Sequence, residues 1–542
     1  MNKPFAITLD VRSSLANHTG MWRSERPVYT AGLPPCQHAC PAGEHVQAWL
    51  YAAEDGSYEN AWRRLVQDNP FPAVMGRVCY HPCETACNRA ELDSAVGINS
   101  VERFLGDRAI DAGWRLPDPA PATGRRVLVV GAGPCGLSAA YQLRRLGHEV
   151  QVHDAGEEPG GMMRHGIPTF RLPRDVLDIE IARLADLGVT FCMNSKITDL
   201  PETMRAGGFD AALIAIGAQL SRRAYLPAGQ ASRVLDALSV LGSVADGERP
   251  SLGRAVVVYG GGNTAMDAAR TARRLGADDA IVVYRRTQAQ MPAEQQELDE
   301  ALAEGVRIKW LRTIAAVGDG TLTLEKMTLD ESGLPRPTGE FEELAGDAVV
   351  LALGQDVDRG LLDAVPGLRV VDGVVEVDES MMTGCPGVFA GGDAVPADRS
   401  VTHAIGHGRR AATAIDGWLR RQDPPSAAQE RDPVPYSALN TWYYSDAPRS
   451  VRPRLEAARR TDTFGEVVGG LDEDSALFEA RRCLSCGNCF GCDNCLGVCP
   501  DNAVIKLDGA NHYAIDLDYC KGCGLCATEC PCGAIDMVPE ES

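Results

Sequence analysis

Apolar residues in the middle of the chain fall into short β-branched runs that end on glycine and give way to helical spacing. Val127–Val130 leads into Gly131-Ala-Gly133-Pro-Cys-Gly136, a helix follows through Arg145, and the strand Val150–His153 closes on Asp154. The alternation returns at Ala255–Tyr259, with the loop Gly260-Gly261-Gly262-Asn263-Thr264-Ala265, a helix, and the strand Ala280–Tyr284 ending on Arg285 and Arg286. Strand, glycine loop, helix and strand make the βαβ unit of a doubly wound parallel sheet. The pattern therefore predicts a multidomain α/β chain with two dinucleotide-binding domains. Residues 1–120 read instead as helical and polar, with Pro117, Pro119 and Pro121 marking a linker. The apolar runs are of strand length, far below the roughly 20 residues of a membrane helix.

The two glycine loops predict different ligand ends. Gly131, Gly133 and Gly136 permit a tight turn, backbone approach to a pyrophosphate and close helix packing, and Asp154 is placed to accept ribose hydroxyls. In the second unit alanine replaces the third glycine, and two arginines stand where a carboxylate would meet a bare ribose. Guanidinium pairs with a 2′-phosphate, so NADP(H) is favoured over NAD(H), against the alternative of a solvated arginine pair.

Composition narrows the class. The chain has 542 residues, a formal net charge of -21 and 45% hydrophobic residues, which excludes disorder and predicts several domains. Fifty-three Lys plus Arg against 74 Asp plus Glu give an acidic surface, so nucleic acid is not an expected partner. The first residues lack the basic, apolar, small-residue order of an export signal, and a cytoplasmic location is expected. The 19 cysteines bunch at both ends, with only Cys135, Cys192 and Cys385 between Cys87 and Cys483. In a reducing compartment that distribution points to metal or cluster ligation.

Near the C-terminus, Cys489-xx-Cys492-xx-Cys495-xxx-Cys499-Pro and Cys520-xx-Cys523-xx-Cys526-xxx-Cys530-Pro are two complete bacterial ferredoxin runs. The fourth cysteine of each run ligates the other cluster. One [4Fe–4S] is thus assigned to Cys489, Cys492, Cys495 and Cys530, and the other to Cys520, Cys523, Cys526 and Cys499. Zinc in paired CxxC sites is the alternative.

As an ordered set, these pieces resemble flavoprotein pyridine-nucleotide reductases of the glutamate synthase small-subunit type, over about residues 30 to 420. Glu158-Pro-Gly-Gly161-Met-Met-Arg164 is similar to that family's flavin-side loop. Leu213-Ile-Ala-Ile-Gly217 and Val350-Leu-Ala-Leu-Gly354 are similar to its strand-to-glycine crossings, and Gly392-Asp393 followed by His403 to its second flavin motif. The resemblance implies FAD in residues 123–240 and 341–425, with a nicotinamide domain inserted at 241–340. The C-terminal wording resembles the ferredoxin-like delta subunit of 2-oxoacid:acceptor oxidoreductases. Residues 1–122 then form a helical iron–sulfur domain, 426–480 a linker, and 481–542 an α+β ferredoxin domain.

In the resembled reductases the helical domain holds two clusters, but here only Cys36, Cys40, Cys79, Cys83 and Cys87 are present. Cys483 and Cys486, in Glu479-Ala-Arg-Arg-Cys-Leu-Ser-Cys, read like the missing segment displaced to the far end of the chain. The expectation is that they join Cys36 and Cys87 in one cluster, while Cys40, Cys79 and Cys83 hold another, with Glu102 as its oxygen ligand. The alternatives are that Cys483 and Cys486 are spare thiols or belong to the ferredoxin domain, and that Glu102 is a solvated helix carboxylate. Cys135, Cys192, Cys385 and Cys532 are left as ordinary thiols.

The chemistry follows from these groups. Nicotinamide moves electrons in pairs, an iron–sulfur cluster moves one, and FAD handles both, so the flavin belongs between them. Hydride transfer needs stacking and no acid or base, so no catalytic side chain is assigned. The expected function is an electron-transfer subunit between NAD(P)(H) and a thiamine-diphosphate-dependent 2-oxoacid oxidoreductase. A glutamate synthase small subunit, a free-standing NAD(P)H:ferredoxin reductase and a zinc-binding assembly subunit are the alternatives. Gly318-Asp-Gly320 opens like a thiamine motif without its continuation and reads as a β-turn. Trp442-Tyr-Tyr444 reads as aromatic packing or a docking surface.

Overall fold

The computed structural model describes residues 18–222, 233–421, 431–508 and 512–540. Two five-stranded parallel sheets form its centre. The first runs in the order Val388–Ala390, Ala211–Ile214, Arg126–Val130, Glu149–His153, Thr190–Cys192. The second runs Arg307–Trp310, Asp279–Tyr284, Ala255–Gly260, Ala348–Ala352, Arg233–Asp236. Their central strands read in sequence as near-continuous Val, Ile, Leu and Ala because both faces are covered; in the second sheet helices cover one face and an antiparallel sheet the other. The pairing moves one expected boundary. Ala348–Ala352 pairs with Ala255–Gly260 and Arg233–Asp236 pairs with Ala348–Ala352 at the sheet edge, so the inserted unit's sheet draws strands from both sides of 241–340. Strand type could not reveal this, since identical β-branched runs serve either sheet.

Arg312–Val317, Thr321–Leu329 and Pro335–Ala345 form an antiparallel sheet beside the inserted unit. Gly318 donates its N–H to the Thr321 carbonyl, so the Gly318–Gly320 stretch is a hairpin turn.

The helical region is stitched to its neighbours. Trp62, Phe71, Val74 and Met75 share one apolar core with the first sheet's Val127–Val130 and its covering helix Pro134–Arg145. Short helices start on proline, at Pro35, Pro72 and Pro82, where the missing N–H costs nothing and φ is preset. Cys36 and Cys83 follow those prolines directly, and Cys40 and Cys79 cap helix ends, so the ligand candidates sit on stiff one- or two-turn supports.

The expected linker 426–480 is only partly a linker. Its last stretch, Glu473–Ala480, is a helix whose Ala476 and Ala480 enter the helical domain's core with Trp49, Leu50 and Leu105. Immediately beyond it, Arg482 is almost fully buried. It pairs with Glu479, pairs with Asp93 at 3.1 Å, and donates to the carbonyls of Ser94, Ala95 and Ala447. Glu479 in turn accepts the N–H groups of Gly97 and Ser450. At the other end of the chain, Glu25–Tyr29 forms a strand rather than a helix, paired antiparallel with Ile535–Pro539.

Truncating Arg482 leaves Glu479 without its buried counter-charge and Asp93 with Arg89 alone, a change that costs about 3–5 kcal/mol when one partner of a buried pair is removed. Arg482→Ala should lower the urea midpoint of the helical region accordingly, while an exposed control, Arg63→Ala, leaves it within about 0.5 kcal/mol.

Candidate functional site

A cleft of about 330 Å³ opens at the carboxyl ends of the first sheet's strands, where doubly wound folds place their ligands. Its lining includes Gly131, Gly133, Asp154, Gly161, Gly217, Gly392 and Asp393 from the first unit, and Asn263 and Thr264 from the second. Gly131 has φ +111°, and a Cβ there would stand 2.2 Å from the Ala215 carbonyl oxygen. A Cβ on Gly136 would stand 1.9 Å from the Gly131 oxygen, whereas at Gly133 nothing lies within 4 Å. Gly136 thus serves helix packing from outside the lining, and Gly133 leaves its face open to the cleft. Asp154 accepts the Ala132 and Gly156 N–H groups, which holds its carboxylate at the cleft edge. Asp393 is half-buried there, and its carboxyl is pushed up by partial burial against the pull of Arg399. A cradle of bare backbone flanked by two carboxylates fits a dinucleotide's pyrophosphate and hydroxyl groups.

Other candidates lie elsewhere. Arg164 is consumed by the Pro159 carbonyl, Glu158 and Asp178, so it fixes its own loop. His403 bonds Ser400, which caps the helix Val401–Arg420. Gly260, Gly262, Ala265, Gly354, Arg285 and Arg286 also stand outside the lining. Gly260 lies close against Ala352, where a Cβ would come 2.2 Å from its oxygen. Arg285 is exposed at the end of Asp279–Tyr284, and Arg286 is half-buried. Sequence reading missed Tyr80, Arg171 and Asp267, which also line the cleft. Arg171 pairs with Asp267 at 2.7 Å and with Glu297, and its guanidinium donates to the Tyr80 hydroxyl. Asp267 stood within the second glycine motif, but its partner is 96 residues away, and no local signal joins them.

The N-terminal cysteines fall into two groups. Cys36, Cys87, Cys483 and Cys486 line one small cavity with Pro35, Leu50 and Ile98. Burial, and then the charges of Cys483, Cys87 and Cys486, push the Cys36 thiol well up. Four thiols that resist ionising together suit a cationic iron core, which makes the thiolates favourable. Cys40, Cys79 and Cys83 form the second group, each electrostatically coupled to the buried Glu102. Glu102 accepts from Asn69 at 2.9 Å and from Asn99 at 3.4 Å, and Glu44 shares the Asn69 amide.

This second group abuts the cleft. Thr402 donates to Cys79 Sγ at 3.2 Å, while Val78 and Tyr80, on either side of Cys79, line the cleft. A Cβ on Gly406 would stand 1.9 Å from the Pro41 oxygen, so the helix Val401–Arg420 presses directly on the Cys40-Pro41 corner.

In the C-terminal module, Cys499, Cys520, Cys523 and Cys526 line one small cavity. Cys489 feels Cys495, Cys530 and Cys492. The Cys530 thiol is pulled down to about 6, chiefly by the thiol of Cys532, 3.7 Å away. Gly487 N–H donates to the Cys532 carbonyl, joining the Cys486 loop to this module. Tyr444 donates to Leu484 O, Tyr443 to Glu529, and Trp442 is exposed.

His407, buried behind the cleft, accepts the Gly392 N–H on Nδ1, and burial, followed by the nearby Arg410 charge, depresses its pKa to about 4. An unfolded histidine titrates near 6.5, so the unfolded chain takes up the proton first. This contribution is complete above about pH 6.5 and is lost as pH falls to about 4, roughly 3 kcal/mol in all. His407→Asn should flatten that part of the stability-against-pH curve, measured by denaturant titration at steps between pH 4 and 7.

Comparison with known proteins agrees with this layout. The family described as Pyridine nucleotide-disulphide oxidoreductase matches residues 125–408. Dihydropyrimidine dehydrogenase domain II, 4Fe-4S cluster, matches residues 9–114, and a 4Fe-4S dicluster domain matches residues 488–534. The chain is 35% identical over 509 residues to "NADP(+)-dependent formate dehydrogenase subunit beta" of Moorella thermoacetica, covering 85% of this chain and 71% of that protein. It is 33% identical to "Putative oxidoreductase YgfK" of Escherichia coli, covering 93% of this chain but only 48% of that longer protein. It is 35% identical to "Glutamate synthase [NADPH] small chain" of Azospirillum brasilense, covering 72% of this chain and 87% of that one. Among the described residues no helix is long and apolar enough to cross a membrane. The chain belongs to the pyridine nucleotide-disulphide oxidoreductase family, as a flavin-dependent, NAD(P)-using member with 4Fe-4S domains in its N- and C-terminal regions.

Proposed function

We propose that this chain is the electron-transfer subunit of a larger complex, moving electrons between NADP(H) and a partner 2-oxoacid oxidoreductase through FAD and four [4Fe–4S] clusters. The carrying observation is the unbroken adjacency of donor groups. The cleft touches the Cys79 group through Thr402, Val78 and Tyr80. Cys36 in the first turn and Cys40 at the C-cap of one short helix belong to the two different N-terminal groups. The Cys486 loop is bonded to the Cys530–Cys532 corner of the C-terminal module.

Each residue set has a stated task. Gly131, Gly133, Asp154, Gly161, Gly217, Gly392 and Asp393 would hold FAD, which accepts electrons in pairs from nicotinamide and releases them singly. Asn263 and Thr264, at the first turn of Asn263–Arg274, would direct that helix's N-terminal N–H groups at the nicotinamide coenzyme's phosphates. Arg285 and Arg286 would select the 2′-phosphate. The ion pairs of Arg171 with Asp267 and Glu297 hold the two nucleotide units in register and fill space that water would otherwise enter. Cys36, Cys87, Cys483 and Cys486 would bind one cluster, Cys40, Cys79, Cys83 and Glu102 a second, and the two ferredoxin runs the remaining pair.

The delta-like C-terminal module supports a 2-oxoacid oxidoreductase as partner. A relative named as a formate dehydrogenase beta subunit supports a second reading, in which the partner oxidises a different small substrate. Affinity purification of the native complex decides: a thiamine-diphosphate-binding partner supports the first reading, and any other co-purifying dehydrogenase overturns it.

Two substitutions test the assignments. Cys483→Ser should lower bound iron by about four per chain while leaving the flavin spectrum intact; unchanged iron removes the Cys36–Cys486 cluster. Arg285→Ala with Arg286→Ala should raise KM for NADPH about ten- to a hundredfold, the loss of charge-assisted hydrogen bonds of roughly 1.5–3 kcal/mol, with little change for NADH.

A further inference from the structure

The N-terminal strand inserts one side chain into the C-terminal module, and the function proposed above makes no use of it. Glu25–Tyr29 pairs with Ile535–Pro539, with Tyr29 opposite Ile535. The Tyr29 ring packs against the module core formed by Cys495, Tyr513, Cys526 and Cys530, with its centroid 6.0 Å from that of Tyr513 and the planes 22° apart. Its hydroxyl donates to Cys495 Sγ at 3.1 Å.

Apart from the Cys532 thiol 3.7 Å from Cys530 Sγ, the two cysteine runs share a pattern of backbone donors to their sulfurs. Ala503 N–H donates to Cys499 Sγ at 3.2 Å, and Ala534 N–H donates to Cys530 Sγ at 3.3 Å. Backbone N–H groups assist Cys495 at Leu496 and its counterpart Cys526 at Ala527. Tyr29 adds a hydroxyl donor on the Cys495 side. Beside the other site, Arg23 donates to the carbonyls of Leu517 and Cys520, but its charge is compensated by Glu540.

A hydrogen bond to a ligating sulfur favours the more negative, reduced state of a cluster and raises its potential. We infer that Tyr29 sets the redox order of the C-terminal pair: its hydroxyl, donated to Cys495 Sγ, raises the reduction potential of the cluster bound by Cys489, Cys492, Cys495 and Cys530 above that of its twin. An electron reaching the module then rests first on the cluster joined to the Cys486 loop. Tyr29 is a positioning residue that acts through Cys495. The inference rests on the reading that both ferredoxin runs hold [4Fe–4S] clusters.

The test is Tyr29→Phe in the full-length, cluster-loaded chain, with a potentiometric titration followed by electron paramagnetic resonance. Iron and sulfide content should stay unchanged. One C-terminal cluster should move to lower potential by about 59 mV, a tenfold change in one-electron partition, while the other clusters and the flavin keep their midpoints. A second variant, 3,5-difluorotyrosine at position 29, carries a more acidic phenol and should shift the same cluster upward. A loaded Phe variant with unchanged midpoints, or a difluorotyrosine variant without the upward shift, overturns the inference. Absence of iron–sulfur signals from the C-terminal module of the unmodified chain would overturn the underlying cluster reading instead.

Discussion

The buried guanidinium of Arg482 holds the two ends of this chain in one piece. Its partners, Asp93, Glu479 and the carbonyls of Ser94, Ala95 and Ala447, come from the helical region and from the segment that returns to it. Arg89 reinforces the knot by pairing with Asp93 and donating to the Arg482 carbonyl. A buried cation is tolerable only when its donors are matched by fixed acceptors, so this network specifies one register of the returning segment. Cys483 follows Arg482 directly and Cys486 comes three residues later. The position of their sulfurs beside Cys36 and Cys87 is thus a consequence of where the arginine must sit.

A second set of contacts joins the helical region to the cleft. The helix Val401–Arg420 carries small residues where it crosses its neighbours, with Gly406 against Pro41 and Gly408 against the Cys135 carbonyl. Close backbone approach lets one helix line the cleft at Val401 and Ala404 while meeting Cys79 at Thr402. The nucleotide-binding units are joined by charge as well. Arg171 reaches Asp267 and Glu297, and Phe170 lies under the guanidinium groups of Arg274 and Arg270 at 3.7 and 4.9 Å. Ion pairs this buried weaken little with salt.

Together these contacts make a chain of short separations between the nucleotide cleft and the far ferredoxin-type module, the route that the proposed function would use. Each step is built from parts distant in sequence: Thr402 with Cys79, Cys87 with Cys483, Gly487 with Cys532, and Tyr29 with Cys495. Cys36, Cys40, Cys79 and Cys83, the candidate ligands on the helical side, are carried on or at the ends of short proline-started helices.

Local pattern determined the βαβ units, their glycine loops and both ferredoxin runs, because strand periodicity, tight turns and CxxC spacing are properties of neighbouring residues. The family resemblance led to the expectation that Cys483 and Cys486 join Cys36 and Cys87, and these four line one cavity. Local pattern could not decide which sheet would take Arg233–Asp236 and Ala348–Ala352, since a buried parallel strand looks the same in either. Nor could it show that Glu473–Ala480 belongs to the helical core, that Glu25–Tyr29 is a strand, or that Arg171 meets Asp267. Those outcomes rest on hydrogen bonds and ion pairs between residues tens to hundreds of positions apart, which carry no periodic signature. Only when the chain closes on itself does burial force each charge and each unpaired edge to find its one available partner.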